Sequence, residues 1–368
     1  MSDMFRFADA LGPQKIVHIY QPALGLRAIV VIDNTAAGPA IGGTRLALDV
    51  SVEECFRLAR AMTLKSAAAG LAHGGAKSVI IGDPAMPPLQ KEAIIRAFAV
   101  AIRNLTDYIP GPDMGTDEKA MAWVKDEIGR AVGLPRGLGG IPLDEIGATG
   151  FGLAVAAEAA QAVGGPKLEG ARVVVQGFGA VGMNAAGFLA AKGAVLVAAS
   201  DSHGAISDPS GLDIPTLITL KRDGKNLQAH GRGEKLGRDD VVAVPCDIWI
   251  PAARPDVLRA DNIGRLDTKL VLQGANIPAT LEAERLLHER GILSIPDIIA
   301  NAGGVICGSV EYGGGNEKAA LETITEKINA NTREVLIAAR AGNMPPRDAA
   351  NHLAERRVRA VMALRRWH

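Results

Sequence analysis

Apolar and polar residues repeat along this chain with two periods. Apolar positions three to four apart, through Phe56, Leu58, Ala59, Met62 and Leu64, predict an amphipathic helix. It opens at Ser51-Val52-Glu53-Glu54, a Ser-x-x-Glu capping box with Ser51 as N-cap. Similar patterns predict helices from about 90 to 105, over 116–128 and over 279–290. Short continuous apolar runs predict buried strands at 26–32, 78–81, 171–176, 194–199, 241–244, 248–250, 270–272 and 292–295. Residues 133–147 are rich in Gly and Pro and mark a domain boundary. From Thr149 onward helices and strands alternate, which implies a parallel, doubly wound sheet in the second half. From about Glu317 the chain reads as a long helical tail.

Composition narrows the picture. A chain of 368 residues suits two domains, and 48% hydrophobic residues suffice for a core in each. Lys plus Arg number 40, as do Asp plus Glu, so no net field steers the chain toward nucleic acid or a membrane. Arg356, Arg357, Arg359, Arg365 and Arg366 make the last helix basic, but the aromatic and groove-reading context of a nucleic-acid binder is missing. Cys55, Cys246 and Cys307 are far apart and form no metal or redox spacing, which fits a reducing cytoplasm. No metal is expected. The first residues carry no signal-peptide core, and no apolar run approaches the roughly 18 residues of a membrane span.

The strongest motif begins at the end of the strand predicted at 171–176. Gly177-Phe178-Gly179-Ala180-Val181-Gly182 follows it directly and opens an Ala-rich helical run to Lys192. This is Gly-x-Gly-x-x-Gly in the setting its chemistry needs: after a strand, opening a helix, with an acid about 20 residues on. Gly177 permits the tight turn, Gly179 lets a pyrophosphate approach the backbone, and Gly182 lets helix and strand pack closely. The helix N-terminus offers free N–H groups to the phosphates. Asp201, after the next apolar run, suits a ribose 2′-hydroxyl and repels a 2′-phosphate. NAD is therefore expected over NADP, although His203 nearby softens the repulsion.

Candidate chemistry in the first half is less specific. His73-Gly74-Gly75-Ala76-Lys77 places a lysine between a flexible turn and a buried strand. Desolvation there would lower its pKa and make it a usable base near neutral pH; a solvated loop lysine is the plainer alternative, as it is for Lys65. Asp113, the one charge within 109–115, reads either as an N-cap for the next helix or as a proton-transfer carboxylate. His73 reads as a loop hydrogen-bonder and Trp249 as core.

In order along the chain stand Gly38-Pro39-Ala40-Ile41-Gly42-Gly43-Thr44-Arg45, Met62-Thr63-Leu64-Lys65, Gly74-Gly75-Ala76-Lys77 and Pro112-Asp113-Met114-Gly115-Thr116. Ala148-Thr149-Gly150, the Gly177–Gly182 turn, Pro245-Cys246, Gly274-Ala275-Asn276, and Pro296-Asp297 with Asn301-Ala302-Gly303-Gly304-Val305 follow. With these blocks the chain resembles the glutamate/leucine/phenylalanine/valine dehydrogenase superfamily over nearly its whole length. The resemblance implies an N-terminal mixed-sheet substrate domain at 1–142 and a Rossmann-type dinucleotide domain at 143–344, with a C-terminal helix at 345–368 returning to the first domain. It implies reversible oxidative deamination of an L-amino acid to a 2-oxo acid and ammonia, in a homo-oligomer. Lys65 would hold the substrate carboxylate, Lys77 would activate water and stabilise the carbinolamine, and Asp113 would exchange protons. Thr149, Asn276 and Asn301 would line the nicotinamide, although the two amides can equally cap loops.

Some positions depart from the family pattern. Ala76 replaces the third glycine of the Gly-Gly-Gly-Lys block, Ala180 the asparagine common in the dinucleotide turn, and Asp247-Ile248 the usual Ala-Leu after Cys246. Glutamate enzymes place a lysine immediately before Gly42-Gly43, and here that residue is Ile41. An aliphatic side chain cannot pair a carboxylate. With Gly42, Gly111, Val305 and Gly308 also implied at the substrate side chain, a branched-chain or aromatic amino acid is expected. Ser200-Asp201-Ser202-His203-Gly204, by contrast, reads like the glutamate branch.

Overall fold

The computed structural model describes residues 5–366. Two compact units form: residues 5–143, 305–323 and 353–366 make the first, residues 144–304 and 324–352 the second.

The first unit is built on strands β1 (Lys15–Gln21), β2 (Leu26–Asn34), β3 (Ala40–Ala47), β4 (Gly74–Ile81) and β5 (Tyr108–Pro112), in the order β1-β2-β4-β3-β5. The β1–β2 and β2–β4 pairs are antiparallel, β4–β3 and β3–β5 parallel, so the sheet is mixed. Helix α1 (Val52–Ala68) lies on one face, where Cys55 and Ala59 pack on Ile29, Val31 and Val79. On the opposite face α2 (Pro88–Ala101) and α3 (Glu118–Ile128) bury Ile95, Phe98, Met121 and Val124 against Val30, Ile32, Ala76 and Ile80. Ser51 caps α1 as expected, accepting the Glu54 N–H at 3.1 Å. Asp117, not Asp113, caps α3 by accepting the Ala120 N–H at 2.8 Å, which leaves Asp113 outside the helix.

The second unit contains α4 (Ala148–Gln161), β6 (Arg172–Gln176), α5 (Ala180–Ala190), β7 (Val195–Ser200), β8 (Ala205–Ser207) and α6 (Ile214–Arg222). It continues with β9 (Glu234–Leu236), β10 (Ile248–Pro251), β11 (Leu270–Leu272), α7 (Leu281–Glu289), β12 (Leu293–Ile295) and α8 (Asp297–Ala300). The sheet order is β12-β11-β10-β6-β7-β8-β9, with β12 to β7 all parallel and β8 and β9 added antiparallel at one edge. Sequence order reverses beside β6, so the carboxyl ends of β6 and β10 open on the crevice where doubly wound sheets bind ligands. Trp249 is fully buried in the core of this sheet.

Three expectations change. The apolar run at 241–244 is not a strand; a 3-10 segment, Arg238–Ala243, covers it and buries Val241 and Val242 beside Trp249. A four-residue apolar run buries equally well either way, and periodicity cannot choose. Lys77 lies inside β4 rather than ahead of it, because the strand starts at Gly74. The helical tail is two helices after α9 (Gly303–Tyr312): α10 (Glu317–Ala341) and α11 (Pro346–Met362). Asn343, at φ 45°, and the following Pro345-Pro346 end the first and start the second. Among the described residues no helix is long and apolar enough to cross a membrane.

A buried ion cluster ties the first turn of α11 into the second unit. The Arg347 guanidinium donates to Asp297 Oδ1 at 2.5 Å, Gln273 Oε1 at 2.7 Å and Glu284 Oε1 at 3.0 Å. Gln273 Nε2 also donates to Glu284 Oε1 at 2.6 Å, and Asp297 Oδ2 accepts the Ile277 N–H at 2.7 Å. Burial alone would lower the Arg347 pKa, but the two carboxylates overcome it and raise it.

Candidate active site

Side chains alternate along a strand, so residues two apart share a face. On β3 these are Ile41, Gly43 and Arg45; on β4, Gly75, Lys77 and Val79; on β5, Ile109 and Gly111, with Asp113 one residue beyond the strand. Register pairs Ile41 with Gly75 and with Ile109, and Gly43 with Gly111, which brings the three sets side by side. One sheet face of the first unit thus gathers Ile41, Lys77, Gly111 and Asp113, four of its eight predicted site residues.

At the centre of that face Lys77 Nζ donates to Asp113 Oδ1 at 2.6 Å. Arg45 Nε donates to the other oxygen, Oδ2, at 2.7 Å, and the same guanidinium pairs with Glu54 in the first turn of α1. The pair is largely dry, with side-chain exposures of 6% for Lys77 and 16% for Asp113. Burial lowers the Lys77 pKa, and the charge of Arg45 pushes the same way against Asp113. Burial alone would raise the Asp113 carboxyl; Lys77 and Arg45 outweigh it and hold it below the usual range. The site therefore holds an ionised carboxylate against a lysine that gives up its proton more readily than usual.

Glycines make the contact possible. A Cβ at Gly43 would lie 2.9 Å from Asp113 Cβ and 3.1 Å from Lys77 Nζ. At Gly42 a Cβ would stand 1.9 Å from the Ala76 carbonyl oxygen, and at Gly75 2.0 Å from the Thr63 nitrogen. The last contact presses α1 against β4. Lys65 is buried in the last turn of that helix, two residues beyond Thr63. Beneath the sheet the Tyr108 hydroxyl donates to the Gly42 carbonyl at 3.1 Å and stands 2.8 Å from Ser78 Oγ.

Ile41, Ile109 and Val132 form a small apolar cluster on the same face. Val132 Cγ2 would lie 3.2 Å from a Cβ at Gly111 and 3.5 Å from one at Gly308. Val305, half-buried, is one turn before Gly308 on α9 and shares its side of the helix. His73 turns its ring nitrogen to the Pro39 carbonyl at 3.1 Å and packs edge-on against Tyr312.

In the second unit the Gly177–Gly182 turn has the expected form. Gly177 has φ 93°, and a Cβ there would meet the Ala253 backbone at 2.7 Å; one at Gly182 would meet the Gly177 carbonyl at 2.1 Å. A Cβ at Gly179 meets nothing within 4 Å, so that position faces open space. Phe178 is buried, while Ala180 and Val181 begin α5, whose N-cap Gly179 supplies no side-chain cap and whose first turn holds no acid. The first N–H groups of α5 are thus available to an anion. Gln176 Oε1 and Asn301 Oδ1 are buried without a partner, an arrangement that a bound polar ligand would relieve. The Asn301 amide group donates to the Gly274 and Ala275 carbonyls and, at 3.2 Å, to Asn276 Oδ1, so the two asparagines meet. Thr149 Oγ1 lies 3.2 Å from where a Cβ on Gly304 would stand, three residues beyond Asn301. These features fit a dinucleotide, with phosphates at α5 and a polar head group near the asparagines.

Asp201 is more constrained than its sequence position suggests. Its oxygens accept from Lys221 Nζ at 2.9 Å, the Leu227 N–H at 3.0 Å and the His203 N–H at 2.9 Å. Burial alone would raise its pKa, but these donors lower it.

Sequence reasoning missed Arg45, Ile109, Val132 and Lys221. Strand alternation would have found the first two, since Arg45 is two residues from Gly43 and Ile109 two from Gly111. Nothing local marks Val132 or Lys221, which reach their partners only through the fold.

Residues 139–366 match the family described as glutamate/leucine/phenylalanine/valine dehydrogenase, and residues 13–130 match the Glu/Leu/Phe/Val dehydrogenase dimerisation domain. The chain belongs to this family and is an NAD(P)-dependent amino acid dehydrogenase. Glutamate dehydrogenase of Aeropyrum pernix is 37% identical over 91% of this chain and 85% of its own length. NADP(+)-dependent glutamate dehydrogenase of Pyrobaculum calidifontis is 39% identical over 76% of this chain and 70% of its own. The catabolic NAD-specific glutamate dehydrogenase of Bacillus subtilis is 35% identical over 89% and 79%. Among solved structures, the hetero-hexameric glutamate dehydrogenase of Thermus thermophilus in its Leu-bound form aligns with TM-score 0.88 and 28% identity, over 97% of this chain and 91% of that one. The L-tryptophan dehydrogenase of Nostoc punctiforme aligns with TM-score 0.72 and 25% identity, over 96% and 97%.

Proposed function

We propose that this dehydrogenase oxidatively deaminates an L-amino acid with an apolar side chain, consuming water and releasing the 2-oxo acid and ammonia. The observation that carries this reading is the Ile41–Ile109–Val132 cluster beside the Lys77–Asp113 pair. A side-chain carboxylate set against those three residues would lose its hydration without gaining a cation. Gly111 and Gly308 leave Val132 as the bulk at that place, which suits a branched aliphatic side chain.

In this reading the buried Lys65 ammonium binds the substrate α-carboxylate. Asp113, ionised at neutral pH, takes a proton from the substrate ammonium so that the amine nitrogen can push electrons toward the departing hydride. A nicotinamide dinucleotide held at the Gly177–Gly182 turn would supply the hydride acceptor. Lys77 then directs water to the imine carbon, takes its proton and, once charged, stabilises the carbinolamine oxygen. Asp113 returns a proton to nitrogen as ammonia leaves, and the carbinolamine hydroxyl proton departs to solvent by way of Lys77 once that lysine has released its own. Lys77 suits this double duty because burial brings its two protonation states closer in free energy.

NAD is proposed as the preferred cofactor, with Asp201 placed for a ribose 2′-hydroxyl; its ion pair with Lys221 moderates the discrimination against NADP. The chain is proposed to act as a homo-oligomer, as its match to a dimerisation domain suggests, and light scattering tests this.

Glutamate is the second reading, favoured by the curated relatives above. Initial rates of NADH and NADPH formation with L-leucine, L-valine, L-phenylalanine, L-tryptophan and L-glutamate separate the two. Higher kcat/KM for an apolar substrate supports the proposal; glutamate as best substrate replaces it.

A further inference from the structure

We propose that Arg45 is a positioning residue that fixes the Asp113 carboxylate, holding Oδ2 so that Oδ1 is presented to Lys77, while Glu54 anchors the guanidinium from behind. The inference rests on the deamination reading for its meaning, and on geometry for its support. A carboxylate held by Lys77 alone could rotate about its last bond and offer either oxygen. With Arg45 Nε on Oδ2 at 2.7 Å and Lys77 on Oδ1 at 2.6 Å, both oxygens have fixed partners. Arg45 itself is gripped at both ends, because a second nitrogen of its planar fork pairs with Glu54. Three separate elements, β3, β4 and the first turn of α1, thus fix one carboxylate that follows β5.

The arrangement also sets charge. Arg45 favours ionised Asp113 and disfavours protonated Lys77, so it moves both groups toward the forms that remove protons. Other ionisable groups around the trio are Glu54 and Cys55 on α1 and Tyr108 on β5. Burial pushes the Cys55 thiol up to about 12 and raises the Tyr108 hydroxyl, so both stay neutral through the working range.

The test compares full-length wild type with Arg45→Met and Arg45→Lys, using L-leucine and L-glutamate with NAD from pH 6 to 11. Loss of the cation raises the pKa of Asp113 and of Lys77, so the acid limb of kcat/KM should move up by about one pH unit in Arg45→Met. KM for NAD should stay within about twofold, because the change removes no cofactor contact. Arg45→Lys keeps the charge, so its limb should stay near wild type; kcat should still fall about tenfold, since one ammonium cannot hold Asp113 and Glu54 together. Competitive acetylation of Lys77 by acetic anhydride, read by peptide mass spectrometry against pH, reports the same shift without turnover. A wild type that deaminates nothing defeats the functional reading, and the acetylation midpoint still decides Arg45. Coincident acid limbs and coincident acetylation midpoints for wild type and a folded Arg45→Met would overturn the inference. If Arg45→Met does not fold, wild-type kcat in Arg45→Lys overturns it instead.

Discussion

Each unit of this enzyme holds an arginine between acidic partners, Arg347 buried and Arg45 half-buried, and the two clusters are built to opposite ends. In the second unit Arg347 is one cation serving two buried carboxylates, with Gln273 bridging, and its pKa is raised. In the first unit the proportions invert around Asp113, which has two cations on its two oxygens, and one of them, Lys77, has its pKa lowered. The Arg347 cluster satisfies its charges and locks α11 to the loop before Ile277. In the Asp113 cluster Lys77 gives up its proton more readily than an ordinary lysine. The two clusters differ in which sign is in excess around the shared group.

The sharpest break of that comparison is Lys77→Ala. Turnover should fall about 10³-fold, as for loss of a general acid–base group, while NADH binding, followed by fluorescence, stays near wild type. Thermal stability should change little, because Asp113 keeps Arg45. Arg347→Met should do the reverse, leaving Glu284 and Asp297 buried without their cation. A loss of about 3–5 kcal/mol is expected, measured by urea unfolding, with residual activity tracking the folded fraction. If Lys77→Ala destabilises as much as Arg347→Met, the distinction between the clusters fails. Ile41→Lys supplies a cation where the apolar cluster stands and should shift the glutamate-to-leucine ratio of kcat/KM by about tenfold or more toward glutamate. The smallest effect belongs to Lys221→Ala. Without its partner Asp201 should repel a 2′-phosphate more strongly, weakening NADPH relative to NADH by about fivefold in a fluorescence titration, as expected for a partly exposed pair.

Legibility followed locality. The Gly177, Gly179 and Gly182 assignments were readable because each requirement is met within six residues. Ser51 was readable for the same reason. The role of Asp113 was open from residues alone, since a carboxylate near a helix start caps it more often than not; the fold settles the cap on Asp117, four residues later. For Lys77 the residues alone leave a solvated loop lysine as the plainer reading; its burial, and the Arg45 that shares its carboxylate from 32 positions earlier, come only through strand register. Asp201 shows the converse: its position was legible, while the Lys221 that neutralises it comes from a helix end 20 residues on. The run at 241–244 failed for a third reason, that four apolar residues satisfy a core in more than one backbone conformation.

The absent side chain at Gly43 carries a lesson for anyone reshaping this enzyme. On one strand, two residues apart, stand a position proposed to tune which substrate side chain is accepted and a position whose value is its emptiness. A library built to widen the substrate range can vary Ile41 as far as its buried packing allows, yet at 43 every alternative amino acid begins with an atom pressed against the Lys77–Asp113 contact. Evolvability and fixity are therefore neighbours on β3, and a search that randomises the strand as a block spends most of its members at Gly42 and Gly43, where an added Cβ crowds its neighbours.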